Sequence, residues 1–209
     1  MFLINPSGEQ VSPNTKSDQL TDVGFGGHEV FDVQEVIAGL ISLLDQYQMY
    51  EQYIQDTELK RILQHQTAFL THMYNSIIDC FKKNRKTISP IEKYEMTLNV
   101  NVTFGIKPSQ PLKPNQSVSE LSERGLSAYM LGHTKSLASL FAMTSLEMPN
   151  PMMRRIIANN VSNLIEMSYE IFLYQNKYGY YQVPQLKEQD LNYILNSYTA
   201  VLNPSNNFH

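Results

Sequence analysis

Residues Tyr94 to Ile106 read YEMTLNVNVTFGI, a pattern found nowhere else in the chain. Tyr94, Met96, Leu98, Val100, Val102, Phe104 and Ile106 alternate with Glu95, Thr97, Asn99, Asn101, Thr103 and Gly105. A period of two puts the two sets on opposite faces of an extended chain, so the stretch predicts a β-strand with one apolar face. It lies within a segment, 84–117, that also carries Pro90, Pro108, Pro111 and Pro114, a density that no helix interior accepts. A lone strand leaves backbone N–H and C=O groups unpaired. It can lie flat across helices, pair with a terminal segment (MFLI, Met1 to Ile4, or YTAVL, Tyr198 to Leu202), or pair with the same strand of a second copy. Its polar face is Thr and Asn, not the lysines that guard an edge, which makes Tyr94, Leu98, Val100, Val102 and Phe104 candidate interaction residues.

On either side of this segment the apolar period changes to three and four. Val30, Val33, Ile37, Leu40, Leu44 and Tyr47 predict a helix over 28–54. Leu59, Leu63, Leu70, Met73, Ile77 and Cys80 predict a second, opened by the cap and acidic first turn of Asp56, Thr57 and Glu58. Ser117 and Glu120 have capping-box spacing and open a third helix to about Glu147, with Leu126, Met130, Leu137, Leu140, Phe141 and Met143 as its apolar surface. Asn150 and Pro151 form a cap and first-residue pair for a fourth helix, which buries Ile157, Val161, Leu164, Ile171 and Phe172 and stops at Gly179. Arg154 or Arg155, one turn on, is expected to tie this turn to a neighbour such as Glu147. A shorter fifth helix is expected over 184–200. Short links make each hairpin antiparallel, and one long connection between two such pairs is the ferritin-like order. The expected fold is therefore all-α: a ferritin-like four-helix bundle with a crossover containing a short β-strand, plus a shorter C-terminal helix.

The chain of 209 residues is long enough for a core that needs no disulfide staples, and its single cysteine, Cys80, cannot form one internally. The expected division is a flexible arm over 1–27, rich in Ser, Pro, Asn and Gly, a helical domain over 28–200 with the crossover at 84–117, and a tail over 201–209. The start, MFLINPSGEQ, lacks the basic residues and apolar run of a signal peptide, and no run is long enough to span a membrane. A net charge of −4 gives no broad attraction to nucleic acid or anionic lipid. The basic cluster KKNRK, Lys82 to Lys86, suits a helix C-terminus.

Three stretches carry a resemblance: KPNQSVSELSERGLSAYMLGHTKSLA (Lys113 to Ala138), EMPNPMMRRII (Glu147 to Ile157) and YEIFLYQNKYGYYQVPQL (Tyr169 to Leu186). With GGHEVFDVQEVIAGLISLLDQY near the N-terminus, they resemble the coat F family of spore coat proteins from endospore-forming bacteria. The resemblance spans roughly residues 25 to 190. It implies a ferritin-like bundle made in the mother-cell cytoplasm of the sporulating cell and deposited in the spore coat, with other spore coat proteins and itself as partners. It implies no enzymatic activity and no cofactor.

The tyrosines of YQNKYGYYQVPQL, Tyr174 to Leu186, fall where the fourth helix ends. Folded back over the bundle end, Tyr178, Tyr180 and Tyr181 can plug it, rings packed and hydroxyls wet, or serve as a contact surface. Catalytic motifs are missing: there is no Gly-x-Ser-x-Gly, and GFGG lacks the lysine of a phosphate loop. A ferritin-like di-metal site needs Glu-x-x-His on two helices, and the sequence contains none. The weak metal candidates are Glu35, His65, His133 and Glu166, and the expectation is a metal-free core. The alternative to a structural coat component is a degenerate ferritin-like metal binder or enzyme with a non-standard site. Gly39, Gly125 and Gly132, tolerated inside helices, point to close helix approach.

Overall fold

A computed structural model describes residues 25–83 and 92–201. Most of the expected arm, including MFLI, Pro90 and the end of KKNRK, and the tail beyond Val201 lie outside the described residues. The described chain is all-helical: α1 (Gly27–Glu51), α2 (Thr57–Lys83), a 3-10 turn (Val118–Glu120), α3 (Glu123–Glu147), α4 (Pro151–Lys177) and α5 (Glu188–Leu195).

The four long helices pack as a ring, α1 on α2 and α3, and α4 on α2 and α3. Side-chain pairs give the directions. Gln46 meets His133 and Tyr50 meets Tyr129, so α1 and α3 run antiparallel. Glu58 meets Lys177 and Gln66 meets Glu170, so α2 and α4 do too. With antiparallel hairpins α1–α2 and α3–α4, the order is up, down, down, up, and the connection from α2 to α3 must travel the length of the helices.

The α1 stripe is Val33, Val36, Leu40, Leu43 and Tyr47, all fully buried. This is a strict alternation of three and four, while the expected Ile37 and Leu44 sit beside it, half-buried. All six α2 positions expected inside are buried, and the Asp56 carboxylate caps α2 by accepting from the Leu59 N–H at 2.8 Å. Helix α3 begins later than the Ser117 to Glu120 spacing suggests. That stretch forms only the 3-10 turn, and Ser122 is the α3 cap, its hydroxyl accepting from Gly125 N. Met143 is exposed. Of the three helical glycines only Gly39 marks a close approach: a Cβ there would stand 2.9 Å from Leu137 Cδ1, whereas Gly132 faces open space.

Helix α4 starts as its cap predicts. The Asn150 side-chain oxygen accepts from the N–H groups of Met152 and Met153, at 3.0 and 3.1 Å. The contact that ties the turn to its neighbour comes from Glu29, not from Arg154 or Arg155, both exposed. Glu29 is buried; one carboxylate oxygen accepts from the Asn150 backbone N–H at 3.0 Å and the other from Gly26 N at 3.1 Å. One acidic side chain thus caps two helix starts, where negative charge is favoured. At the other end of α4, Gly179 turns the chain with φ +71°, a conformation that suits glycine. Helix α5 is shorter than 184–200 and contributes nothing to the core, since every residue in it is exposed.

The predicted β-strand does not form. Residues 92–107 run without a helix, bending at 97–98 and taking φ +109° at Gly105, and among the described residues the only pairing is one parallel bridge, Phe104 with Val183. The alternation is only half used: Tyr94 is buried and Met96 and Leu98 pack against the core, while Val100 is 64% and Phe104 58% exposed. Among the described residues no second strand supplies the missing partners.

Replacing Asn150 by alanine removes two charge-free caps at once and is expected to lower stability by about 1–2 kcal/mol, read as the urea midpoint. An unchanged midpoint would show that Glu29 holds this turn alone.

Candidate functional site

The extended crossover, here called the strap, is held by side chains of α4. Asn163, Glu170 and Asn176 are buried on that helix. Asn163 accepts from the Tyr94 backbone N–H at 3.0 Å and donates to the Glu92 carbonyl at 3.0 Å. Asn176 accepts from the Thr103 N–H at 2.6 Å and donates to the Thr103 carbonyl and the Tyr181 carbonyl, each at 3.0 Å. Each amide offers the strap one acceptor and one donor, the groups a neighbouring strand would have offered, and turns its second N–H elsewhere, to Asn160 from Asn163 and to Tyr181 from Asn176.

Glu170 sits between them. Its Oε1 accepts from the Thr97 N–H at 2.6 Å and the Thr97 hydroxyl at 2.5 Å. Its Oε2 accepts from the Tyr94 hydroxyl and from Gln66 Nε2, the latter at 3.4 Å. The group accepts four bonds and donates none, the inventory of an ionised carboxylate. Gln66 extends the network by accepting from the Tyr47 hydroxyl at 2.7 Å and donating to the Met167 carbonyl at 3.0 Å. His65 Nδ1 lies 3.2 Å from the Tyr94 oxygen. With that hydroxyl donating to Glu170, the ring nitrogen has to be the donor. Burial, and then the Glu170 charge, push the Tyr47 and Tyr94 phenols well above their ordinary range. No buried side-chain polar atom among the described residues lacks a partner.

The spacing of these anchors shapes the strap. From Tyr94 to Thr97 an extended chain covers about 10 Å, close to the roughly 10.5 Å from Asn163 to Glu170 along the helix. The next interval does not match: Thr97 to Thr103 is roughly 20 Å of chain against about 9 Å of helix. The strap bends at 97–98 and bows outward, leaving a polar cleft of about 390 Å³ lined by Glu58, Arg61, Asn99, Asn101, Leu173 and Lys177 among others. Val100 rides the crest of the bow.

The strap's end meets the tyrosine turn. Gly105 N–H donates to the Val183 carbonyl at 2.9 Å, and Gln182 Nε2 donates to the Lys107 carbonyl at 3.1 Å. Tyr178 and Tyr180 stack with centroids 5.8 Å apart, both against buried Tyr174, and the Tyr178 hydroxyl donates to Asp56 at 3.3 Å. Tyr181 turns aside onto Phe172, under Lys135. The rings therefore cover the end of the bundle with Tyr178 and Tyr181 still partly open.

The metal candidates are not brought together. Glu35 and Glu166 are exposed, His65 belongs to the Tyr94 network, and His133 binds Gln46 at 3.1 Å. Burial pulls the His133 pKa down from the usual imidazole value. Among the described residues no three His, Cys, Asp or Glu side chains gather as a metal-holding group. Cys80 is buried, and burial, with Glu29 second, raises its thiol pKa, the setting of an inert thiol. Sequence spacing rules out Glu170 as part of a Glu-x-x-His pair, Leu173 standing at +3, and does not single out Gln66, Asn163 or Asn176. The signal available was the run of polar residues at positions 163, 170 and 176, a near-heptad step along a helix otherwise read only for its apolar stripe.

Two outcomes are expected. Glu170→Ala leaves the Thr97 and Tyr94 donors unsatisfied and should cost about 3 kcal/mol; Tyr94→Phe should cost about 2 kcal/mol. Hydrogen exchange at the Thr97 amide checks the cause: Glu170→Ala should abolish its protection while amides at the centre of α1 keep theirs. The second outcome is alkaline unfolding. Tyr47, Tyr94 and Tyr174 are all raised by burial, so above pH ~10 the unfolded chain releases protons that the folded chain retains, and stability falls with pH. Phenolate absorbance should rise together with the loss of helical circular dichroism, and Tyr94→Phe should flatten that pH slope.

The comparisons with known proteins agree with the motifs. The model of the Coat F domain matches residues 122–184, which run from the α3 cap through α4 and the tyrosine turn. The spore coat protein F-like protein YhcQ of Bacillus subtilis (strain 168) is 43% identical over 173 residues, covering 83% of this chain and 80% of that protein. No solved structure matches. With that identity over most of both chains, and with the Asn150 cap, the strap anchors and the tyrosine turn all inside the segment that the domain model matches, the chain belongs to the coat F family of spore coat proteins.

Proposed function

We propose that this protein is a structural component of the bacterial endospore coat, made in the mother-cell cytoplasm and acting there through self-association or binding to other coat proteins. The observation that carries it is the 43% identity, over most of both chains, to a protein named as spore coat protein F-like. The role is non-enzymatic and needs no cofactor. In support, Glu170, the acidic group most deeply placed in the centre, has all four of its acceptor contacts taken by the strap and Gln66. The up-down-down-up order with one long crossover is the ferritin-like arrangement, kept as a scaffold. Contact surfaces for neighbours are the crest of the strap at Val100 and Phe104 and the open edges of Tyr178 and Tyr181. Neither nucleic acid nor membrane is a partner in this reading: the net charge is −4, and no described helix is long and apolar enough to cross a membrane.

A tagged full chain expressed in a sporulating endospore former tests this. The protein should appear in the mother-cell compartment during sporulation and then in the alkali-detergent coat extract of purified spores. Recovery with the spore core, or equal levels in vegetative cells, would overturn the assignment.

A further inference from the structure

The mismatch in length accounts for the bow of the strap but not for the face that the bow turns inward. Up to Leu98 the apolar side chains go in: Tyr94 is buried, and Met96 and Leu98 pack against the core. Beyond the bend the phase reverses. Asn99 and Asn101 line the cleft of about 390 Å³, and Val100 between them is 64% exposed. Burial alone favours the opposite choice, with Val100 turned onto Leu173, a buried residue of the cleft's lining, and the two amides in water. The bow is also fixed at both ends, at Thr97 by Glu170 and at Thr103 by Asn176, so its amides are carried on a segment already held in place.

The cleft holds one positive charge without a counterion, in a chain whose net charge is −4. Lys177 Nζ donates to both carboxylate oxygens of Glu58, at 3.0 and 2.8 Å, and these two charges offset each other. Arg61, one turn along α2 from Glu58, has no hydrogen-bond or ion-pair partner among the described residues, and neither do the side chains of Asn99 and Asn101.

A guanidinium offers a fork of donors that matches a carboxylate. A carboxamide offers an acceptor and donors together, the complement of a peptide group. The volume falls at the lower end of the range for ligand clefts, about 300–1,000 Å³, which limits the occupant to a short piece of chain. A phosphate suits the lining less well, because it brings nearly two negative charges to a site that already contains the Glu58 carboxylate.

We propose that the cleft between the bow, α2 and α4 binds a peptide carboxylate, either an acidic side chain or a free C-terminus. Arg61 takes the carboxylate, and Asn99 and Asn101 bond the peptide groups beside it. Such binding needs neither coat residence nor self-association: any neighbouring chain with an acidic segment can supply the ligand.

The test uses the full chain labelled with nitrogen-15. Amide shifts of residues 97–103 are followed during titration with acetyl-Ala-Glu-Ala-amide, acetyl-Ala-Ala-Ala with a free C-terminus, acetyl-Ala-Gln-Ala-amide and inorganic phosphate. A saturable shift in the bow is expected with a carboxylate peptide, and the tighter of the two tells side chain from terminus. Binding should weaken as salt rises. Arg61→Gln should weaken it about tenfold or more, since a hydrogen bond to a charged group is lost, and Asn99→Ala/Asn101→Ala should weaken it as well. All three residues are exposed and none is a strap anchor, so the thermal midpoint of these variants should stay where it is. Four results would each overturn the proposal: no saturable shift with either carboxylate peptide at millimolar concentration, a glutamine peptide that binds as well as the glutamate one, phosphate binding more tightly than both, or native affinity in Arg61→Gln. The spore-coat extraction reports on coat residence separately, so either idea can fail alone.

Discussion

A carboxylate removed from water must be given hydrogen bonds, because burying it unpaired would cost several kcal/mol. Glu170 receives four, and three of them come from the strap. The exchange is mutual. The extended backbone obtains from α4 what a sheet would have supplied, and α4 obtains partners for polar residues in the middle of its buried face. Without the strap, Glu170 keeps only Gln66, Asn163 only Asn160 and Asn176 only Tyr181; without these residues, the strap's backbone keeps only its end contacts to Gln182 and Val183. The Tyr94 ring links this arrangement to the apolar core, packing edge-on against Phe69 while its hydroxyl faces Glu170. Tyr47 and Gln66 carry the same network across to α1 and α2. All three helices around the strap therefore depend on one polar centre.

The long helices were legible in the sequence because their apolar period is sustained and their ends carry chemistry that acts locally. Asn150 caps through atoms two and three residues away, and Gly179 turns within one. The same locality explains the error at Ser117. A capping box was present by spacing, but Leu121 returns to an extended backbone, and the helix restarts at the next competent cap, Ser122. The period of two in the strap was real and gave an extended chain. It did not specify what that chain pairs with, since side-chain amides and a carboxylate on a helix satisfy the same backbone groups as a strand. Those partners lie about 70 residues away in sequence and resemble, in one dimension, ordinary polar positions of an amphipathic helix. Glu29 was hidden for the same reason, its bond to Asn150 crossing 121 positions. Helix α5 shows the opposite limit: its apolar spacing predicts burial, and the structure leaves it bare.

Tyrosine does two jobs here, and position decides which. Tyr47, Tyr94 and Tyr174 are interior residues whose phenols burial first, and then nearby acidic charge, keep neutral, and that neutral state belongs to the fold. Tyr178 and Tyr181 stay partly open at the end of the molecule, each beside a lysine ammonium, Lys177 and Lys135. The absence of tryptophan fits this division, because an indole cannot accept a hydrogen bond and could not take the place of Tyr94 between His65 and Glu170.

The strap's anchors also set an order of events during synthesis. Tyr94 waits for Asn163, Thr97 for Glu170 and Thr103 for Asn176, separations of 69, 73 and 73 residues. At about 5–20 residues per second, a ribosome delivers those anchors roughly 4–15 s after the strap itself. For that interval α1 and α2 can pair as a hairpin, yet the face that will receive α4 stays open and the strap has no partner. A nascent coat F chain is thus committed to its final shape only when the far end of α4 emerges, which makes that helix the closing member of the domain and the growing chain most adhesive just before it arrives.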